Sequence, residues 1–398
     1  MTKKSTISVL TLILSGGLLF AQASGRAGNP GETILQSYER NFVRASLSTK
    51  VNVLFDAGND EEAGEFYGQL CELALRFVLD NAALFHDDPD MINITVTAIR
   101  GIGRYSFYSA TELAWQVFLR FPDNVIRYEI LEVLPELDLQ SLTAKINDFI
   151  LEQNRRYVPG MPVETELLLP LIAILGLHGD VSCYPVLFAS SILYSGVLQE
   201  EAINTFYKID GDVLDFCIGV IIGSTPEEKL AAFNLALNWE WIPEDERGGL
   251  AETALEVALS VPGDRRAEIL ELSEASLKII EEEGWVRALP QVLKYYNQSV
   301  FVFRADPLLF KPLINAINCL GKLKSADAAQ VLILHLGLYN SRCSELQKEE
   351  LDVVLAMIHA LGQLAYKASY DVLNYASLLP YPEQIIAAAR DAAAKLDW

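Results

Sequence analysis

Positive charge is scarce in this sequence. Its 398 residues carry 31 Lys+Arg against 53 Asp+Glu, a formal net charge of −22. Nucleic-acid binding needs cationic neutralisation of phosphates, and anionic lipid headgroups make the same demand, so both are disfavoured as ligands. Histidine is scarcer still. His86, His178, His335 and His359 are scattered, and none has a partner at metal-ligand spacing. The five cysteines, Cys71, Cys183, Cys217, Cys319 and Cys343, are odd in number, far apart and free of any C-x-x-C. That pattern fits neither a disulfide framework nor a zinc site. Also missing are H-E-x-x-H, G-x-S-x-G, the P-loop and the dinucleotide fingerprint. Gly101-Ile102-Gly103 is the only G-x-G fragment, and no strand-like run precedes it. No catalytic residue, cofactor or metal is expected. Beyond the N-terminus no stretch is long and uncharged enough to span a membrane.

What the sequence does have is a pattern that recurs four times. It reads Ile, two variable residues, an aliphatic residue, then Gly: Ile99–Gly103, Ile172–Gly176, Ile317–Gly321 and Ile358–Gly362. Seven residues after each Gly stands a small side chain: Ala110, Cys183, Ala328 or Ser369. Ten and eleven after it stand apolar pairs: Leu113/Ala114, Val186/Leu187, Val331/Leu332 and Val372/Leu373. Three-residue spacing puts Ile and the aliphatic residue on one side of a helix. The Gly is then expected to end that helix in a left-handed conformation. The small residue would let the second helix approach the first. The slots held by Cys183, and by Cys319 beside Gly321, make both thiols small buried apolar groups.

Helical periodicity begins near Glu32, with further helices expected at about 61–85, 90–102, 107–120, 124–136 and 138–153. The breaks have helix-start chemistry: Asp87-Asp88-Pro89-Asp90, Phe121-Pro122-Asp123 and Ser224-Thr225-Pro226-Glu227-Glu228. Val158-Pro159-Gly160-Met161-Pro162 is the sharpest break. It separates N-terminal repeats at 32–158 from C-terminal repeats at 163–398, which continue the same array. About twenty helices, or roughly ten hairpins of 35–40 residues, fit the length.

The N-terminus has the features of a secretory signal peptide over residues 1–23. Lys3 and Lys4 form a short basic region of bacterial type, Ile7 to Phe20 an apolar core, and Ala21-Gln22-Ala23 a cleavage site. Cleavage is expected after Ala23, leaving a leader at 24–31 (Ser-Gly-Arg-Ala-Gly-Asn-Pro-Gly) and a chain in the periplasm or outside the cell, without stable membrane insertion. Removing Lys3 and Lys4 makes the charge balance more acidic still, and a basic protein or peptide would be attracted.

The recurring units resemble the HEAT-repeat family, a HEAT/armadillo-type α-solenoid, in its Ala-x-x-Ala-Leu-Gly variety. The likeness is clearest at Ala316–Leu332 and Met357–Leu373 and good at Ala98–Ala114. It also covers Leu168–Leu187, where Gly179-Asp180 fits the family's turn. Asp123-Asn124-Val125-Ile126-Arg127 approximates the family's Asp…Val-Arg element with one residue inserted. The resemblance implies that Asp123 and Arg127 form a structural pair between units. Ile385–Leu396 resembles a final half-repeat. The implied fold is all-α: a right-handed superhelical stack of about ten antiparallel helical hairpins. Residues 32–90 and 225–305 match poorly, and function is to be sought there.

Two aromatic clusters stand out, Trp239-Glu240-Trp241 before Pro243 and Tyr295-Tyr296 after Trp285. Trp239, Trp241, Tyr295 and Tyr296 are candidate interaction residues, although inter-helix packing is the favoured explanation, aromatics being common in cores. The leading expectation is an exported, non-catalytic scaffold or adaptor that binds a protein or peptide, basic in character. The alternative is a secreted α/α-toroid enzyme acting on carbohydrate through a carboxylate pair.

Overall fold

The computed structural model describes residues 33–60, 66–85, 87–239, 242–260 and 266–396. The expected signal peptide, the leader, His86 and Trp241 lie outside them. Among the described residues the chain is all-helical, with twenty α-helices, short 3-10 turns and no strand. Two compact units are present, residues 1–142 and 143–398.

The first unit holds α1 (Ile34–Arg44), α2 (Leu47–Asn59), α3 (Tyr67–Phe85), α4 (Pro89–Arg104), α5 (Thr111–Arg120) and α6 (Asn124–Val133). The boundary falls in the first turn of α7 (Leu139–Arg156). Within the unit α3 packs on α4 and α5, α2 on α4, and α4 on α6.

After α7 the second unit continues with α8 (Thr165–His178), α9 (Tyr184–Leu193), α10 (Val197–Lys208), α11 (Val213–Gly223), α12 (Pro226–Leu237), α13 (Glu244–Ala258) and α14 (Ala267–Glu283). It closes with α15 (Leu289–Ala305), α16 (Lys311–Lys322), α17 (Ala326–Asn340), α18 (Lys348–Leu364), α19 (Tyr370–Ala376) and α20 (Glu383–Ala394). Here α12, α14, α16, α18 and α20 touch in series, while α11, α13 and α15 do so on the other side. The core lies between these rows.

The break residues do start helices. The Asp88 carboxylate accepts from the amides of Asp90 and Met91 ahead of Pro89, and Asp123 accepts from those of Val125 and Ile126. Thr225 and Glu228 form a reciprocal capping box at α12. Four residues after three of the caps stands a cation that reaches back across the junction. Lys50, after Ser46, donates to the carbonyls of Phe42 and Val43. Arg127, after Asp123, donates to those of Phe118 (3.3 Å) and Phe121 (3.1 Å). Lys229, after Thr225, donates to those of Ile221 (2.5 Å) and Ile222 (2.9 Å). Each cation serves carbonyls left over at the end of the preceding helix, where the helix dipole also favours positive charge. Lys50 does so while buried between the rings of Phe42 and Phe77, and burial lowers its pKa. The sequence resemblance marked Arg127 only as the partner of Asp123; the carbonyl clasp, with Lys50 and Lys229, comes from the structure.

The motif residues are core. Ile99/Ile102, Ile172/Leu175, Ile317/Leu320 and Ile358/Leu361 are all fully buried, and so, to within a per cent, are the small residues Ala110, Cys183, Ala328 and Ser369. The expected role of the glycines needs correction. Gly103, Gly176, Gly321 and Gly362 lie inside the last turns of α4, α8, α16 and α18, and none has positive φ. The left-handed residue comes three positions later in three units, at Ser106 (φ 46°), Lys324 (φ 46°) and Ala365 (φ 52°), and none of these is glycine.

Close approach explains the glycines. A Cβ on Gly321 would stand 2.9 Å from the Cα of Ala360 in α18, and one on Gly362 would stand 2.9 Å from the Cβ of Ala392 in α20. Gly103 meets Val133 of α6 in the same way, and Gly176 meets Thr205 of α10 less tightly. In each case the glycine faces the next helix but one.

Three substitutions test this packing by chemical denaturation. Gly321→Ala forces α16 off α18 and is expected to cost about 1–3 kcal/mol. Gly337→Ala, inside α17 with nothing within 4 Å of its Cβ position, is expected to stabilise by roughly 0.5–1 kcal/mol through helix propensity. Ser369 buries a hydroxyl that has no hydrogen-bond partner among the described residues, where two sister units carry Ala. Ser369→Ala is therefore expected to raise stability by about 1 kcal/mol.

Candidate functional site

A groove of about 970 Å³ opens between α14 and α15 in the second unit. One face of α15 forms a wall over three turns, through Pro290, Leu293/Lys294, Asn297/Gln298 and Phe301/Val302. The opposite wall is α14, through Ile269/Leu270 and Ser273/Glu274. Leu259, Leu309 and Pro312 complete the lining. The surface is mainly apolar, and three of its apolar groups face solvent: Phe301 is 76% exposed, and Leu270 and Leu309 are exposed by nearly half. Phenylalanine held out in water on a helix face is a feature of recognition surfaces more than of a core.

Charge around the groove is uneven. α14 carries six glutamates against Lys278; Glu268, Glu271 and Glu274 follow one another at three-residue spacing, and Glu274 lines the groove. α15 carries Lys294 and Arg304 and no acid. The groove floor includes Tyr295, whose phenol is pushed up to about 12 by burial and then by the charge of Glu274.

The sequence paired Tyr295 with Tyr296, and the structure separates them. Adjacent helical residues point about 100° apart; both tyrosines are buried, Tyr295 (8% exposed) bordering the groove and Tyr296 (2% exposed) packing against α17. The Tyr296 hydroxyl is hydrogen-bonded with Nδ1 of His335 on α17, and the ring of Tyr339 stacks on the imidazole at 5.0 Å. Burial, followed by the charges of Arg304 and Arg342, lowers the His335 pKa to about 4.

Trp239 is half-buried at the end of α12, about twenty residues in sequence from the nearest groove residue. Trp285 belongs to packing: its indole donates to Glu252 (2.8 Å), and its ring lies against Gly248. Asp123 and Arg127 are both structural, the first as the cap of α6 and the second as the clasp on α5. The five cysteines are free, four of them buried, and burial raises the Cys71 and Cys217 thiols to about 12.

Sequence reasoning missed Phe301, Leu270 and Leu309. The available signal was the width of the apolar surface on α15. Val292, Tyr295, Tyr296 and Phe303 already supply a buried stripe, and Phe301 falls outside it.

Among the described residues no group of His, Cys, Asp and Glu is arranged to hold a metal ion, and no helix is long and apolar enough to cross a membrane. No family model matches the chain, and no curated protein matches it. Among solved structures, one described as concerning a phosphorylation switch that controls the interaction between cadherin and beta-catenin is similar to it at 10% identity. That match covers 91% of this chain and 96% of that one, with a TM-score of 0.29.

The His335 cluster generates a pH dependence with a definite sign. Its folded pKa, about 4, lies below the ordinary 6.5, so the folded state resists protonation that the unfolded state accepts. The contribution is fully present above pH 6.5 and is lost as pH falls toward 4, about 3 kcal/mol in all. Denaturation midpoints compared at pH 7.5 and 4.5 should show this loss in the wild type and a smaller one in His335→Gln.

Proposed function

We propose that the protein is an exported, non-catalytic scaffold, an open right-handed stack of about ten helical hairpins that docks a basic protein partner. The observation that carries the reading is the groove between α14 and α15, where an uncovered apolar surface lies beside a strongly acidic helix. The architecture supports it. Contacts mostly to the next helix and the next but one leave long faces free for binding, as in stacked-repeat proteins generally. The excess of 22 negative charges would draw a basic partner in and orient it, and apolar contact would then hold it. Docking is non-covalent and needs no cofactor. Export rests on the signal-like residues 1–23, with maturation after Ala23.

Both parts are open to experiment. N-terminal sequencing of the protein recovered from the producing cell should begin at Ser24; recovery of Lys3 and Lys4 in the exported fraction would remove the maturation step. The mature chain, used as bait against its own compartment, should retain basic proteins at low salt and release them as salt rises. Capture of acidic partners alone, or no capture, would overturn the scaffold reading.

A further inference from the structure

We infer that the groove between α14 and α15 is built for one kind of occupant, an amphipathic helix of about three turns with basic residues along the edge that meets α14. This rests on the scaffold reading and specifies its partner. Both walls are helix faces. α15 presents Pro290, Leu293, Asn297 and Phe301 at three- and four-residue spacing, so its wall runs about 18 Å at 1.5 Å per residue, the length of roughly twelve helical residues. Parallel ridges at that spacing accept the ridges of another helix. Strand addition to a sheet edge is closed to a peptide here, since the described residues contain no strand. An inserted helix would cover Phe301, Leu270 and Leu309 together, with Tyr295 beneath it.

Charge sets the orientation. Glu271 and Glu274 are exposed on α14, and Glu274 also lines the groove. Neither makes an ion pair among the described residues. Lys294, on the opposite wall, would repel cations placed there. The basic edge of the occupant therefore lies along α14, and the rest of its contact is apolar.

The test uses the full mature chain and three labelled peptides of equal length: a Leu/Lys amphipathic helix, the same helix with Glu for Lys, and the Lys peptide broken by two prolines. Fluorescence anisotropy should show the Lys helix binding at least about tenfold tighter than either of the others. Phe301→Glu should weaken it about tenfold, as loss of an anchor side chain does, even though it adds negative charge. The double variant Glu271→Lys/Glu274→Lys should weaken it comparably, and Lys294→Glu should not. These positions are solvent-facing, and unchanged circular dichroism confirms folding.

Equal binding of the proline-broken peptide would overturn the helical occupant. Undiminished binding by Phe301→Glu would overturn the groove, leaving only charge attraction. Baiting the native compartment with Phe301→Glu separates the two levels. The same partner held by wild type and variant refutes the groove but keeps the scaffold; a partner held by neither refutes the scaffold.

Discussion

The structure depends on how closely its helices can approach. Where α16 meets α18, and α18 meets α20, the contact surface is a glycine set against the backbone and Cβ of an alanine. No side chain larger than hydrogen fits at Gly321 or Gly362 without moving the neighbouring helix. The burial of Ile317, Leu320, Ile358 and Leu361 follows, because apolar side chains beside a near-contact of backbones lie out of reach of water. One row of helices is thus drawn together near its ends. The groove lies where α14 of this row faces α15 of the other.

The junctions are secured by a different interaction. Lys50, Arg127 and Lys229 each sit four residues past a helix cap and donate to carbonyls at the end of the previous helix. A helix end buried without partners is costly. In a chain with few cations, several stand where the backbone needs them, which leaves the acidic surplus for the surface.

Much of this was legible in the sequence. The four Ile-x-x-aliphatic-Gly units, the small residue seven positions later and the caps at Asp88, Asp123 and Thr225 are local patterns, and local patterns report local structure. The purpose of the glycines was not legible, because their constraint comes from Ala360 and Ala392 in other helices and not from their own backbone. The left-handed turns fell to Ser106, Lys324 and Ala365, residue types that composition does not mark for that conformation. Tyr295 and Tyr296 looked equivalent because adjacency in sequence hides a 100° difference in direction. The groove lies in and just past the 225–305 stretch that fitted the repeat pattern least, so its neighbourhood was visible while its residues were not.

Long-range side-chain bonds in this protein have a characteristic reach. Arg100 meets Glu129, Trp285 meets Glu252, Asn154 meets Ser190, and Tyr381 meets Asn340, at separations of 29, 33, 36 and 41 residues. Each element therefore finds its partners in chain made shortly before or after it. Contacts of this kind have low loop-closure cost and favour rapid folding. A chain delivered N-terminus first through a narrow pore can consolidate helix by helix as it emerges, with little exposed core waiting for distant sequence. Vectorial folding is then a property of the connectivity.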